Sequence, residues 1–208
     1  MSTLIVNPSS YYPGKNTYSS ASNTGNVYAD ITSTAYAQFN LTPGAQAVTS
    51  IGLAFNLEEI PNDAIINSVS CSVKATINTT TSSYVSQRTV QLYSGDIAKG
   101  STSNLGEFAT IIELDTGNWT RAELDNLNLY VFAKRGTSKI TSTYYIRFYG
   151  ADLTIEYTSG GVTQTLKIKS NGKWTDVSKV YKKENGSWIE QTELSQVFDT
   201  NINYVKEN

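Results

Sequence analysis

Acid–base chemistry in this chain would have to rest on carboxylates, because its 208 residues include no histidine. That absence removes the commonest general base and the serine–histidine–aspartate arrangement. The single cysteine, Cys71, has no imidazole to activate it, and its alternating apolar surroundings mark it as a small core residue. Zinc would need Cys or His clusters, which the chain lacks, and no Asp-x-Asp-x-Asp run suggests calcium. Glycoside hydrolysis needs only two carboxylates; Glu58, Glu59, Asp63, Glu113, Asp115, Asp152 and Glu156 are the candidates. Their spacing is that of a solvated surface, with Asp152 and Glu156 alternating onto one face and Glu58-Glu59 preceding a turn. No Gly-rich phosphate loop is present. A protein without catalytic residues, metal or cofactor is expected.

Recognition of sugars is better supplied. Aromatic faces and planar polar groups hold sugars, and the chain has 6 Phe, 14 Tyr and 3 Trp amid abundant Asn, Gln and Thr. In "LNLYVFAK" (127–134), Leu127, Leu129, Val131 and Ala133 take a core face, so Tyr130 and Phe132 point away. In "YYIRFY" (144–149), Tyr145, Arg147 and Tyr149 oppose Tyr144, Ile146 and Phe148. If the two strands are neighbours, Tyr130, Phe132, Tyr145, Arg147 and Tyr149 make one outward aromatic patch with one cation. Such a patch suits a glycan, but cover by the N-terminal arm or a subunit contact is the first expectation.

Net charge is 16 − 18 = −2, so no global field recruits nucleic acid or anionic lipid. Charge is uneven, however: residues 167–183 hold six Lys against one Asp. With Trp174, Tyr181 and Trp188 beside them, these lysines allow single-strand nucleic-acid binding, but Lys on exposed hairpins also blocks edge-to-edge aggregation. No nucleic-acid partner is expected. No apolar run reaches membrane-spanning length, and "MSTLIVNPSSYY" lacks the regions of a secretion signal. Synthesis and assembly in a cytoplasm, with no membrane partner, are expected.

The elements that would position these residues are strands. Low charge, many β-branched and aromatic residues, and turns rich in Asn, Gly and Ser define an all-β composition. "SVSCSVKATI" is the clearest strand, with Val69, Cys71, Val73, Ala75 and Ile77 on one face. "AYAQFNL", "SIGLAF", "TVQLY", "TIIEL", "LNLYVFAK", "YYIRFY" and "DLTIEY" follow the same rule, a spacing that indicates a sandwich or jelly roll. Residues 1–34 read as an extended arm with two short strands, whose Pro8 and Pro13 keep it from a sheet centre. Thr120 with Glu123 reads as a capping box opening one helical turn pinned by Leu124. The sandwich is expected to span 1–157, with a hinge at 158–161 and a small hairpin domain at 162–208. There, Asn171-Gly172-Lys173-Trp174 returns as Asn185-Gly186-Ser187-Trp188, and Asn-Gly between strand-like residues signals a two-residue hairpin. Trp174, Tyr181, Trp188 and Ile168 either stack into a miniature core or dock on a neighbour. Phe198 and Tyr204 extend that apolar set into the tail.

"FNLEEIPNDAIINSVSCSVKATI", "LDTGNWTRAELDNLNLYVFAK" and "YYIRFYGADLTIEY" resemble, in that order, stretches of tailed-bacteriophage virion proteins. The terminal "NGKW…NGSW" block is similar to repeats ending many tail- and baseplate-associated proteins. The resemblance spans about residues 20–208. It implies a jelly roll akin to carbohydrate-binding modules on the outside of a virion, among other virion proteins, and it carries no catalytic residue. The expected function is therefore a non-enzymatic virion structural protein, in the tail, fibre or capsid surface. It would assemble through its C-terminal hairpins and display a sandwich toward a host cell-wall glycan. Repeated outward display implies a homo-oligomer, with a trimer expected. A carbohydrate-binding module of a cell-surface or secreted system is the second reading. A small glycosidase, with two carboxylates about 5 to 9.5 Å apart, is the third.

Overall fold

A computed structural model describes residues 1–14, 17–138, 142–159, 167–170, 173–176, 180–184 and 186–191. The chain divides into two compact units, Met1–Gly160 and Gly161–Asn208. In the first unit, two antiparallel sheets pack as a β-sandwich. Its strands are β1 (Ser2–Val6), β2 (Pro8–Tyr12), β3 (Ser20–Ser22), β4 (Ala37–Asn40), β5 (Val48–Phe55), β6 (Ile65–Ile77), β7 (Val85–Ser94), β8 (Ile97–Asn104), β9 (Ile111–Leu114), β10 (Leu127–Arg135) and β11 (Tyr145–Thr158). One sheet runs β3-β4-β11-β6-β9, with β1 beside the far end of β11; the other runs β2-β5-β10-β7-β8. From β4 to β11 the chain changes sheet at almost every connection, the wrap of a jelly roll; only β7 and β8 form a hairpin within one sheet.

Period-two patterning produces this architecture. Along β10, residues 127 to 135 alternate between buried and half-buried at every step. Phe39, Val73, Ile77, Phe148 and Leu153 from one sheet meet Ile51, Leu53, Leu92, Leu129 and Val131 from the other. Each fully buried Leu, Ile or Phe contributes about 1.5–3 kcal/mol of transfer free energy. Cys71 lies within this core at 1 % exposure, and desolvation pushes its thiol well above the ordinary value. An unreactive packing role follows.

The arm, expected to hold two short strands, forms three, β1, β2 and β3. Asn7 sits where the chain steps from one sheet to the other: β1 pairs with β11 and β2 with β5. Pro8 begins an edge strand, where its missing N–H costs no ladder bond. A 3-10 turn at Thr24–Tyr28 follows, burying Val27. "YYIRFY" and "DLTIEY" form one strand, β11, instead of two. The chain does not turn at Gly150; the register slips there, between Phe148 and Gly150, as a bulge. The helical turn α1 (Arg121–Leu124) carries both bonds of the capping box, and its Leu124 is buried. Among the described residues, no helix is long and apolar enough to cross a membrane.

The second unit contains two hairpins, β12 (Lys167–Ser170) with β13 (Lys173–Asp176), and β14 (Val180–Glu184) with β15 (Ser187–Gln191). Pairing of Glu184 with Ser187 leaves a two-residue loop whose Gly186 has φ 84, a conformation that favours glycine.

Candidate binding site

Facing residues of β5, β10 and β7 form rows across the outer side of one sheet: Ser50–Phe132–Thr89, then Gly52–Tyr130–Gln91, then Ala54–Asn128–Tyr93. Because β5 contributes only small side chains to this face, the aromatic residues of β10 border a depression. Its volume is about 230 Å³, and Gln87 and Thr102 complete its lining. No lining side chain carries a charge.

Three tyrosines set one end of the depression. Tyr12 crosses from β2 and lays its ring over Gly52, so close that a Cβ there would lie 2.4 Å from ring carbons. Its hydroxyl donates to Asn128 Oδ1 at 2.6 Å and lies 3.1 Å from the Tyr130 hydroxyl. Burial, and then the Tyr130 hydroxyl, push the Tyr12 phenol up, so it remains a donor. The Tyr130 ring meets Tyr12 at 89° and Tyr93 at 88°, with centroids 6.1 and 5.1 Å apart. Edge-to-face contacts on both sides hold it in place.

Several of the other lining groups are unspent. Among the described residues, Phe132 has no aromatic or cationic partner, and the side chains of Gln87, Thr89 and Thr102 make no hydrogen bond. Gln91 donates from Nε2 to Gly100 O at 2.9 Å, which leaves its carbonyl oxygen as an acceptor. An apolar ring beside convergent amides and hydroxyls matches a sugar, whose C–H face is apolar and whose rim is hydroxyl.

Tyr145, Arg147 and Tyr149 are elsewhere. Their strand β11 belongs to the sheet opposite that of β10, so the five residues expected as one patch divide between the two outer surfaces. In this wrap β10 and β11, though consecutive, lie in opposite layers, which is why these sequence neighbours are not sheet neighbours. Arg147 is already engaged: its guanidinium lies 4.4 Å from the Tyr36 ring and 4.8 Å from Tyr145, and Nε donates to Gln38 Oε1 at 3.1 Å. Tyr149 packs on Tyr36 at 5.4 Å, and Lys74, tied to Ser33 O at 2.7 Å, lies 5.7 Å from its ring. Tyr36, just beyond the arm, therefore closes this cluster together with Lys74.

Four of the candidate carboxylates are hydrogen-bonded to serine or amide groups, and the register sets Glu113 and Asp152 on either side of Ser72. Glu156 accepts from Ser68, Glu113 from Ser72, Asp115 from Ser101, and Asp152 from Asn7. Glu58, Glu59 and Asp63 are exposed around a turn. Among the described residues, no group of three or more Cys, Asp or Glu could hold a metal ion.

Of the expected assembly residues, Trp174 lies in β13, while Tyr181 and Trp188 stand on one face of the β14–β15 hairpin, 46 % and 52 % exposed. Ile189, on the other face, is 45 % exposed. Lys183 Nζ sits 5.6 Å from the Trp188 ring. Tyr181 and Trp188 are thus about half exposed. Phe198 and Tyr204 lie outside the described residues.

Ser50, Gln87, Thr89, Gln91, Tyr93, Thr102 and Tyr12 are not evident as site residues from the sequence. The legible signal was the polar series Gln87, Thr89, Gln91, Tyr93 alternating with the core residues Val90 and Leu92. No protein-family model matches the chain, and no curated protein matches it in sequence.

Proposed function

We propose that the chain is a non-enzymatic structural protein of a bacteriophage virion, in the tail, fibre or capsid surface, whose sandwich presents a glycan-binding face. The observation that carries the binding half is the uncharged depression bordered by Phe132 and Tyr130, with the polar groups of Gln87, Thr89 and Thr102 and the carbonyl oxygen of Gln91 free to meet hydroxyls. The virion half rests on the sequence resemblance and on the exposed Tyr181, Trp188 and Ile189, apolar surface suited to other virion proteins or further copies of the chain.

Replacing Phe132 by Ala removes an aromatic face of the depression that has no aromatic or cationic partner among the described residues, and it leaves the core side of β10 intact. Calorimetry against host cell-wall polysaccharide should give affinity lowered about tenfold or more, the loss typical of an aromatic anchor. Equal affinity for both proteins would refute the glycan site. Immunoblotting of purified particles checks the other half: the chain should copurify with the structural proteins, and its absence from particles would overturn the virion assignment.

A further inference from the structure

A second depression adjoins the first. It has a volume of about 410 Å³ and opens at the other end of β10, where Asn56, Glu58, Arg121, Asp125 and Asn126 surround Ala54 and Asn128. The two meet at one row of the sheet, Ala54–Asn128–Tyr93, with Tyr93 lining the first and Asn128 and Ala54 the second. Tyr12 joins them chemically: its hydroxyl bonds Asn128 on one side and lies against the Tyr130 hydroxyl on the other. From Asn126 to Phe132 the strand covers roughly 20 Å at its ordinary rise. That is the length of several sugar rings, not of one.

The charges of the second depression are unequal in availability. Arg121 is spent: Nε donates to Pro61 O at 3.0 Å, Nη2 to Ile60 O at 3.2 Å, and Nη1 to Asp125. Asp125 is the other half of that ion pair. Glu58 differs. Its backbone N–H is held by Asn56 Oδ1 at 3.0 Å, which fixes the turn, while its exposed carboxylate has no partner among the described residues. Neither depression thus offers an unpaired cation, and one end offers an unpaired anion.

We propose that the two depressions are subsites of a single track, which holds a linear oligosaccharide along β10, uncharged or amino-bearing, with its amino or hydroxyl donors at Glu58. This rests on the glycan reading of the first depression. An anionic polymer is disfavoured, because its charges would face Glu58 without a compensating cation.

Soluble glucose, mannose, N-acetylglucosamine and glucosamine oligomers, from monomer to hexamer, are titrated calorimetrically into the full chain, with a glycerol-phosphate chain as the anionic counterpart. Affinity should rise with length until both depressions are filled, and the glycerol-phosphate chain should bind more weakly than any neutral hexamer that binds. Glu58→Gln, an exposed substitution that leaves the core untouched, should lower affinity for the long chains roughly two- to tenfold and flatten the length dependence. Equal affinity for monomer and hexamer would overturn the track and leave a one-sugar site in the first depression. Preference for the anionic chain would overturn the charge argument. Failure of every oligomer to bind would remove the glycan reading itself, and with it the track.

Discussion

Tyr12 and Gly52 show how one pair of residues shapes a surface. The ring rests where a β5 side chain would otherwise project, and the hydroxyl beyond it finds Asn128. Gly52→Ala places a methyl 2.4 Å from that ring, so the ring must swing away and release the bond. A loss of about 1–2 kcal/mol in chemical denaturation is expected, together with weaker glycan binding as Tyr130 loses its brace. A Gly52→Ala protein as stable as the parent would mean that Tyr12 does not need this position. Glu123 makes a second residue-scale prediction. Lys99 Nζ donates to it at 2.8 Å and the Thr120 N–H adds a further bond, holding its carboxyl down at about 2 against an ordinary 4.5. Because the folded value lies below the unfolded one, the contribution is complete above about 4.5 and is lost as pH falls toward 2. The gap in melting temperature between the parent and Glu123→Gln should therefore narrow as pH is lowered through that window. A constant gap would point to packing instead of charge.

At the scale of elements, the bulge at Gly150 carries the consequence least visible beforehand. A Cβ there would lie 2.1 Å from Asp30 O and 2.5 Å from Ala29 O, and Ala151 N donates to Ala29 O at 3.2 Å. The glycine thus lets the arm cross β11 at Ala29 and Asp30, and Tyr36 follows it onto Arg147. Gly150→Ala should destabilise the sandwich by about 2–3 kcal/mol, because backbone atoms on both sides would have to part; an unchanged midpoint in urea would contradict that contact. The same element marks the limit of what could be read from the sequence. β6 and β10 were legible because one buried face repeats every second residue. β11 read as two strands because Gly150 and Ala151 look like a turn when no pairing partner is known. β8 left no trace, since its residues are exposed or half-buried and no apolar alternation distinguishes it from a loop. The site suffered most from non-local pairing. Tyr130 and Phe132 were recognised as outward, but Thr89, Gln91 and Ser50 join them only through the register of β7 and β5, and Tyr12 arrives from more than a hundred residues away.

At the scale of the molecule, the buried core cluster of the described residues falls between Leu4 and Ile155, inside the first unit. A chain ending at Gly160 should therefore fold and melt cooperatively without the second unit. That unit's hairpins are of a kind marginal in water alone, and they leave Tyr181, Trp188 and Ile189 open. If these residues join copies of the chain, the full protein is an oligomer, with a trimer expected, and the shortened one a monomer by light scattering. The glycan face then predicts a difference that mass alone does not. A soluble oligosaccharide meets one site at a time, so both proteins should bind it with the same affinity. A surface coated densely with that glycan engages several sites of the oligomer at once, which can raise apparent affinity by about 10²–10⁴ without any new contact. Loss of surface binding with unchanged solution affinity would assign assembly to the hairpins and recognition to the sandwich. Equal loss in both assays would mean that the second unit takes part in holding the sugar. Two monomers of equal surface affinity would make the hairpins a dock for a different protein.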